Sequence, residues 1–221
     1  MPISTFRLPG RPVVAGLAAA GLVAGVLVGW SSLETVVGCG IAVDDRPSQT
    51  AKDWVTHADH VVVASPTAEK DTNRRDYTAG QYAYATDREV TFRADQVLWS
   101  ARQPDRSLDK EFTMTAPGWQ VTRGGTRVKR TAPNASRLEP GHTYLLALRW
   151  SDDGWTVLGE GAAVPFDDGV GDQGEWCGRE LGKEDVASAE RFSRSDDHSL
   201  EKAVLGQDAA AVTRALTKAG G

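Results

Sequence analysis

A long uncharged stretch near the amino terminus constrains this chain more than any other feature of its sequence. No charged residue occurs from Pro12 to Leu33, and the stretch is rich in Val, Leu, Ala and Gly. About 20 such residues are enough to cross the hydrocarbon core of a bilayer as a helix. We therefore expect residues 12–33 to form a transmembrane or signal-anchor helix.

The charges on either side of this stretch predict its orientation. Arg7 and Arg11 precede it, whereas Glu34, Asp44 and Asp45 follow it. Because positive charge is retained on the cytoplasmic side, residues 1–11 are expected to be a cytoplasmic basic tail. The protein is then a single-pass protein of the cell membrane with its C-terminal domain outside. A basic start and an apolar run also describe a cleaved secretory signal, so a secreted form is the alternative.

Composition narrows the classes of function. The 221 residues include 25 Lys plus Arg against 30 Asp plus Glu, which gives a net charge of -5, and two cysteines. This length allows one compact domain with appendages. The acidic balance argues against a nucleic-acid partner, and two cysteines exclude a disulfide-dense scaffold.

The pattern of the remaining chain predicts a mainly β or α+β domain with flanking helices. We expect a linker over 34–47, a barrel domain over 48–182 and C-terminal helices over 183–221, separated at Gly206. A helix is predicted near 48–58 and a strand over 60–65, while the polar stretch 69–89 is interpreted as a mobile loop or a hairpin extension.

Two details of the strands are also predicted. The apolar alternation changes phase between Ala94 and Val97, as a β-bulge would require. Residues 143–150 and 155–159 are expected to pair as a hairpin across the turn 151–154. Many short strands followed by helices are typical of an α+β or mainly-β domain.

A resemblance to a known family becomes visible in five short segments. They are Cys39, Ala58–Val63, Gln96–Leu98, Leu138–Leu146 and Trp176–Gly178. Together they resemble exported bacterial domains of the tissue-inhibitor-of-metalloproteinases-like family, which is netrin-like and OB-type. The resemblance covers roughly residues 39–205. It implies an OB-like five-stranded barrel with a helix packed on it, and a first cysteine tied to a later one.

The sequence indicates two alternative modifications of Cys39, lipidation and a disulfide bond. The segment Val36-Val37-Gly38-Cys39 resembles the lipobox of bacterial lipoproteins, so Cys39 is a candidate for lipidation and lipid anchoring. We favour a disulfide between Cys39 and Cys177, because the expected compartment is oxidising and no other cysteine pair is available. Maturation at Cys39 would also expose an amino-terminal cysteine, as in the inhibitors of this family. The alternative function is therefore a protease-inhibitor-like domain.

Motifs of catalysis are missing from the sequence. It contains no Gly-x-Ser-x-Gly elbow, no phosphate-binding glycine loop and no His-Glu-x-x-His zinc helix. The acidic, glycine-rich residues 167–175 fit no calcium-loop spacing and are interpreted as a solvated turn. We expect no catalytic residues, no metal and no cofactor. The interpretation is a non-enzymatic binding domain at the cell envelope, with an enzyme of unrecognised site as a further alternative.

Clustered cations suggest where such a domain would bind. No acid occurs between Glu111 and Glu139, and this region holds five cations. They are Arg123, Arg127, Lys129, Arg130 and Arg137. We expect them to form an anion-binding surface for anionic envelope polymers, lipid head groups or an envelope protein. Separately, Trp150 and Trp155 flank the predicted tight turn, where an exposed indole would suit stacking on a glycan.

Overall fold

The computed structural model describes residues 36–37, 46–132, 135–187 and 199–221. All of them fall in one unit, Glu34–Gly221. The strands are β1 Val36–Val37, β2 His60–Asp76, β3 Tyr82–Ser100, β4 Glu111–Thr122, β5 Arg127–Arg130, β6 Tyr144–Ser151, β7 Gly154–Val157, β8 Ala163–Pro165, β9 Gly174–Trp176 and β10 Arg179–Leu181. The helices are α1 Ala51–His57, α2 Lys183–Ala187, α3 Leu200–Val204 and α4 Ala209–Gly220, with 3-10 turns at Glu160–Ala162 and Asp167–Gly169.

Five of these strands close into a barrel. Antiparallel pairing joins β4 to β3, β3 to β2, β2 to β6 and β6 to β7. The ring closes where β7 pairs in parallel with β4, at Met114 and Trp155. The predicted mainly β fold class is therefore confirmed, and the closed ring is consistent with the OB-like barrel that we expected.

The first five residues of β2 and of β6 are buried on both faces, and for this reason these stretches read as nearly continuous apolar runs. Successive side chains of a strand point to opposite faces. In β2, Val62 and Ala64 point into the barrel interior, whereas Val61 and Val63 point to a second apolar layer. Residues of α1, α3 and α4 complete that layer: Trp54, Leu200, Val204, Val212 and Leu216.

Local signals explain where helix α1 begins. Thr50 Oγ1 accepts a hydrogen bond from the backbone N–H of Asp53, and the Asp53 carboxylate accepts one from the Thr50 N–H. This reciprocal capping box satisfies two backbone donors at the start of the helix. Trp54 lies one turn further on, fully buried, and donates its indole N–H to the Ser48 carbonyl over 2.6 Å.

The predicted strand details agree with the structure. The pairing of β2 with β3 shifts register between Val63 and Ala64, where Asp95 bulges out. Strands β6 and β7 form the expected hairpin, and Asp152 and Asp153 both have positive φ, as a type I′ turn requires. The polar stretch 69–89 is a hairpin extension, because β2 and β3 stay paired as far as Asp76 and Tyr84.

The membrane segment is outside this description. The expected span 12–33 and the tail 1–11 lie beyond the described residues, as does most of the linker 34–47. Among the residues that are described, none of the helices has the length and apolar character needed to span a bilayer.

Candidate binding site

A cleft of about 370 Å³ opens beside the β6–β7 hairpin, and we call it the tryptophan cleft. Side chains of β3, β4, the hairpin and the loop between β3 and β4 surround it. These residues are Thr91, Arg106, Asp109, Glu111, Phe112, Thr113, Trp150 and Trp155. Pockets of this volume accommodate small-molecule or sugar-sized ligands.

Aromatic rings form the base of the tryptophan cleft. Because the type I′ turn sets the register, Trp150 lies directly opposite Trp155, with their ring centroids 5.2 Å apart in an edge-to-face arrangement. Trp155 also makes edge contacts with Phe112 at 6.5 Å and with His60 at 5.5 Å. Trp155 is buried in the barrel interior, whereas Trp150 is half-buried and reaches the cleft.

A buried carboxylate joins two walls of the tryptophan cleft. Asp59 is only 7% exposed, and its Oδ2 accepts a hydrogen bond from the backbone N–H of Trp150 over 2.8 Å. Its Oδ1 accepts another from the backbone N–H of Asp105, also over 2.8 Å. Asp59 therefore fixes the β3–β4 loop against the end of β6, and hydrogen bonds to a charged acceptor are the stronger kind.

His60 forms a second contact with the loop between β3 and β4. Its Nε2 lies 2.8 Å from the carbonyl oxygen of Arg106, which can only accept, so Nε2 carries a hydrogen. Its Nδ1 lies 2.8 Å from Ser100 Oγ, within hydrogen-bond distance. The ring is buried and bonded at both nitrogens, and so it positions Arg106 rather than offering a free base.

The mouth of the tryptophan cleft carries charge of both signs. The Arg106 guanidinium lies over the Trp150 ring, with its Cζ 4.9 Å from the ring centroid. Asp109 and Glu111 are exposed, and within the described part of the chain neither carboxylate has an ion-pair or hydrogen-bond partner. The cleft thus combines an aromatic face, two open acceptors and a guanidinium donor.

The predicted basic surface has a different character, because its cations have partners inside the domain. Arg127 donates to both carboxylate oxygens of Asp71 at 2.9 and 3.2 Å. Arg130 lies 3.5 Å from Asp87. Both acids come from the hairpin extension, so the extension covers part of the charge that the sequence places in one cluster.

Two further cations of this group are also engaged. Lys129 lies 3.0 Å from Glu139 and is largely buried. Arg123 stays exposed, and its guanidinium donates to the carbonyl oxygens of Gly80 and Tyr77 over 2.8 and 3.1 Å. Arg123 thereby ties the β4–β5 turn to the tip of the hairpin extension.

Arg137 does not lie on the expected surface, since only 2% of it is exposed. Its Nε donates to Glu139 over 2.7 Å, and its Nη1 donates to the carbonyl oxygens of Gly118, Pro117 and Arg130. A guanidinium carries five donors in a rigid fork and suits such a set of carbonyls. Arg137 is therefore bonded inside the domain beneath the expected surface, and its contact with an external anion stays a prediction.

A second guanidinium is buried next to it. Arg88 is fully buried and pairs with Glu69 at 2.5 Å, and it also donates to the backbone carbonyl of Arg137. Burial lowers the pKa of Arg137, and the neighbouring positive charge of Arg88 lowers it further, while Glu139 acts in the opposite direction. These groups hold the segment 135–139 in place.

The described residues include only one of the two cysteines for which we made predictions. Cys177 is buried beside Trp176 and Leu181 in the turn that joins β9 and β10. Cys39 lies outside the described residues, so its lipidation, its maturation and its bridge to Cys177 stay predictions.

The acidic residues near β9 make internal contacts. Asp167 accepts from the backbone N–H of Thr143 over 2.6 Å and contacts His142 Nδ1 at 2.7 Å. Asp168 accepts from Gln173 over 2.9 Å. Over the described ranges, no cluster of three or more His, Cys, Asp or Glu side chains is placed to hold a metal ion.

Comparison with known proteins adds no identity to this geometry. The chain matches no protein-family model, and no curated protein matches it significantly. The fold and the tryptophan cleft therefore define the molecule only as a small β-barrel domain with a ligand-sized aromatic cleft.

Sequence reasoning anticipated only part of the tryptophan cleft. It selected Trp150 and Trp155 from the turn between them, but it missed Asp59, Arg106 and the open carboxylates. Asp59 stands directly before an apolar strand, where a carboxylate is costly unless it is bonded. That position was the available signal for a structural or site-building role.

Proposed function

We propose that this protein is a non-enzymatic binding domain at the cell envelope, and that its tryptophan cleft holds a saccharide. The observation that carries the proposal is the union of a half-buried indole with two unpaired carboxylates, Asp109 and Glu111, in a cleft held rigid by Asp59. The predicted barrel is OB-like, and OB-type barrels bind oligosaccharides on the strand face and the adjoining loops.

The chemistry of a sugar fits each part of this cleft. The apolar face of a sugar ring stacks on an indole, while its hydroxyls donate to carboxylates that can only accept. The Arg106 guanidinium would supply donors to ring or hydroxyl oxygens. Because Asp59 and His60 already hold both walls, little ordering of the protein is required when the ligand enters.

Placement outside the cell belongs to the same proposal. The expected helix over 12–33 would anchor the protein in the membrane and hold the domain where envelope glycans are found. Cleavage after that helix, or lipidation of Cys39, would release or re-anchor the domain without changing the cleft. Catalysis is not part of the proposal, because the titratable groups of the cleft that are buried, Asp59 and His60, are bonded to backbone and side-chain partners.

One observation favours a second function on the basic residues. Asp87 is shared by Arg75 and Arg130, so one carboxylate faces two cations at this place. This surface is suited to anionic envelope polymers or lipid head groups, with Arg137 acting from beneath as a support.

Binding of the full chain to isolated cell-wall glycan tests the first function. In the tryptophan cleft, Asp109→Asn and Glu111→Gln remove charge from exposed side chains with almost no change of shape. We expect each to weaken glycan binding about tenfold, since a hydrogen bond to a charged group contributes about 1.5–3 kcal/mol.

The matched control is Glu89→Gln, because Glu89 is an exposed acid of the same sheet that lies outside the cleft. This variant should bind like the original chain. Equal binding by all three variants would overturn the saccharide proposal. A loss confined to a charge reversal at Arg127 and Arg130 would instead support the anionic-polymer function.

A further inference from the structure

A second cavity lies in the barrel wall, away from the tryptophan cleft, and we call it the alanine pocket. Its volume is about 370 Å³. Its inner lining is apolar and mostly composed of small side chains. The residues that matter here are Met114, Ala116, Ala135, Leu138, Val157 and Ala163.

The space exists because two strands of the barrel separate. Strands β4 and β7 pair at Met114 and Trp155, and no other residue pair joins them along the described strands. Beyond this point the segment 135–138 forms the wall between them. The pocket therefore lies where the barrel is closed by a loop instead of by continuous strand pairing.

Buried polar groups prevent this wall from collapsing inward. The Glu175 side chain accepts from the backbone N–H of Arg137 over 2.8 Å, and the Glu175 carbonyl accepts from Ser136 Oγ over 3.0 Å. Arg88 donates to the carbonyl of Leu138 over 3.1 Å. With the segment held from behind, the alanine side chains leave room that larger residues would fill.

The buried polar side chains that line the alanine pocket, Ser136 and Arg137, are already bonded. Ser136 donates to Glu175, and Arg137 donates to Glu139, Pro117 and Gly118. A polar ligand would lose its water there without gaining partners, which costs free energy. An apolar ligand gives up no hydrogen bonds to water when it enters, and the flexible side chain of Met114 can adapt to its shape.

From this geometry we propose that the alanine pocket binds one unbranched aliphatic chain. The volume equals that of roughly a dozen water molecules. A chain of about ten carbons therefore fits. The source of the chain is a free fatty acid or the acyl chain of a membrane lipid. This site is separate from the saccharide cleft and does not depend on it.

Photolabelling of the full chain in lipid nanodiscs tests the proposal. One arm uses a diazirine-bearing decanoic acid, and the other uses a diazirine-bearing phosphatidylcholine in the disc. Mass spectrometry then locates the label. We expect label on peptides that contain Met114–Pro117 or 135–138, from the fatty acid alone if the source is free acid, and from both probes if lipid acyl chains enter.

Two substitutions fill the pocket from different sides. Thr115→Trp places an indole at the mouth, where Thr115 is exposed, and Ala135→Leu fills the interior. Both should lower labelling of these peptides about tenfold, because the added side chain occupies the space that the aliphatic chain needs. Thr67→Trp, on an exposed part of β2, should leave labelling unchanged.

Three results would overturn the proposal. They are label confined to residues 12–33, no label in the domain from either probe, and equal labelling of Thr115→Trp and Thr67→Trp. Thermal unfolding of each variant verifies that the domain is folded. If Ala135→Leu does not fold, the surface substitution at Thr115 still decides the matter.

Discussion

The backbone N–H of Trp150 donates to the carboxylate of Asp59 over 2.8 Å, and the other oxygen of that carboxylate holds the backbone of Asp105 at the same distance. One buried side chain thus connects the end of β6 to the loop between β3 and β4. The tryptophan cleft lies between these two elements. Its shape therefore depends on a residue that no ligand would touch.

Replacing Asp59 should loosen the cleft and weaken the fold. Asp59→Ala leaves the backbone N–H groups of Asp105 and Trp150 without their acceptor, and we expect the free energy of unfolding to fall by about 2–4 kcal/mol. Asp59→Asn keeps one acceptor and should cost about half as much. Urea unfolding measures both, with Asp109→Ala at an exposed position of the β3–β4 loop as the control. Equal stability of Asp59→Ala and Asp109→Ala would contradict the bridging role.

Arg137 should matter for stability rather than for ligand binding. Arg137→Ala leaves Glu139 and three carbonyl groups short of a donor, and we expect a loss of about 3–5 kcal/mol in the free energy of unfolding. Arg137→Lys should rescue little, because a single ammonium cannot reach the same set of acceptors. The exposed Arg123→Ala should cost about 1 kcal/mol or less. If all three variants were equally stable, Arg137 would be a surface residue after all.

Acid should weaken the fold partly through Glu139. Burial raises the pKa of this carboxyl, but Lys129 and Arg137 together outweigh it, so the pKa lies below its ordinary value of 4.5. Because the folded pKa is lowered, Glu139 stabilises the fold above pH 4.5, and this contribution is lost as the pH falls through the folded pKa. Glu139→Gln should therefore be less stable at pH 7 and should lose less stability between pH 5 and about pH 3.

The comparison must be made between variants, because other carboxyls contribute with the opposite sign. Burial raises the pKa of Glu175, so that group destabilises the fold as the pH rises above its unfolded value. Unfolding by urea over a series of pH values separates the two effects. If Glu139→Gln lost as much stability between pH 5 and about pH 3 as the original chain, the ion-pair role of Glu139 would be contradicted.

The disulfide between Cys39 and Cys177 stays a prediction with a direct test. Closing a loop of this length would restrict the unfolded chain and stabilise the fold by about 5 kcal/mol if chain entropy dominates. Non-reducing mass spectrometry of the full chain should find the two cysteines joined, and reduction should lower the midpoint of thermal unfolding. A free thiol at Cys177, or a lipid on Cys39, would exclude the bridge.

The sequence predicted those parts of the fold whose cause is local. The turn Asp152-Asp153-Gly154 and the apolar residues around it are sufficient to indicate the β6–β7 hairpin. The phase change between Ala94 and Val97 indicates a bulge in the same way. Both signals are carried by neighbouring residues, and so they can be read without knowledge of the rest of the chain.

The remaining features of the fold and the site depend on contacts between residues that lie far apart in the sequence. Arg127 is paired with Asp71 of the hairpin extension, and Arg137 is buried against carbonyl groups that have no signature in the sequence. A cluster of cations in the sequence therefore does not predict a free basic surface. The extension itself has polar residues on both faces, and so it lacks the apolar alternation that identifies a strand.

Chemical shifts of the tryptophan indole groups test the saccharide cleft most directly. Soluble cell-wall glycan fragments are added to the full chain, and the indole N–H signals are followed by NMR. Saturable shifts are expected at Trp150 and Trp155, with no change at Trp54 in the helical layer. Shifts at Trp119, which lies against Arg127 and Arg137, with Trp150 unaffected, would contradict binding in the tryptophan cleft.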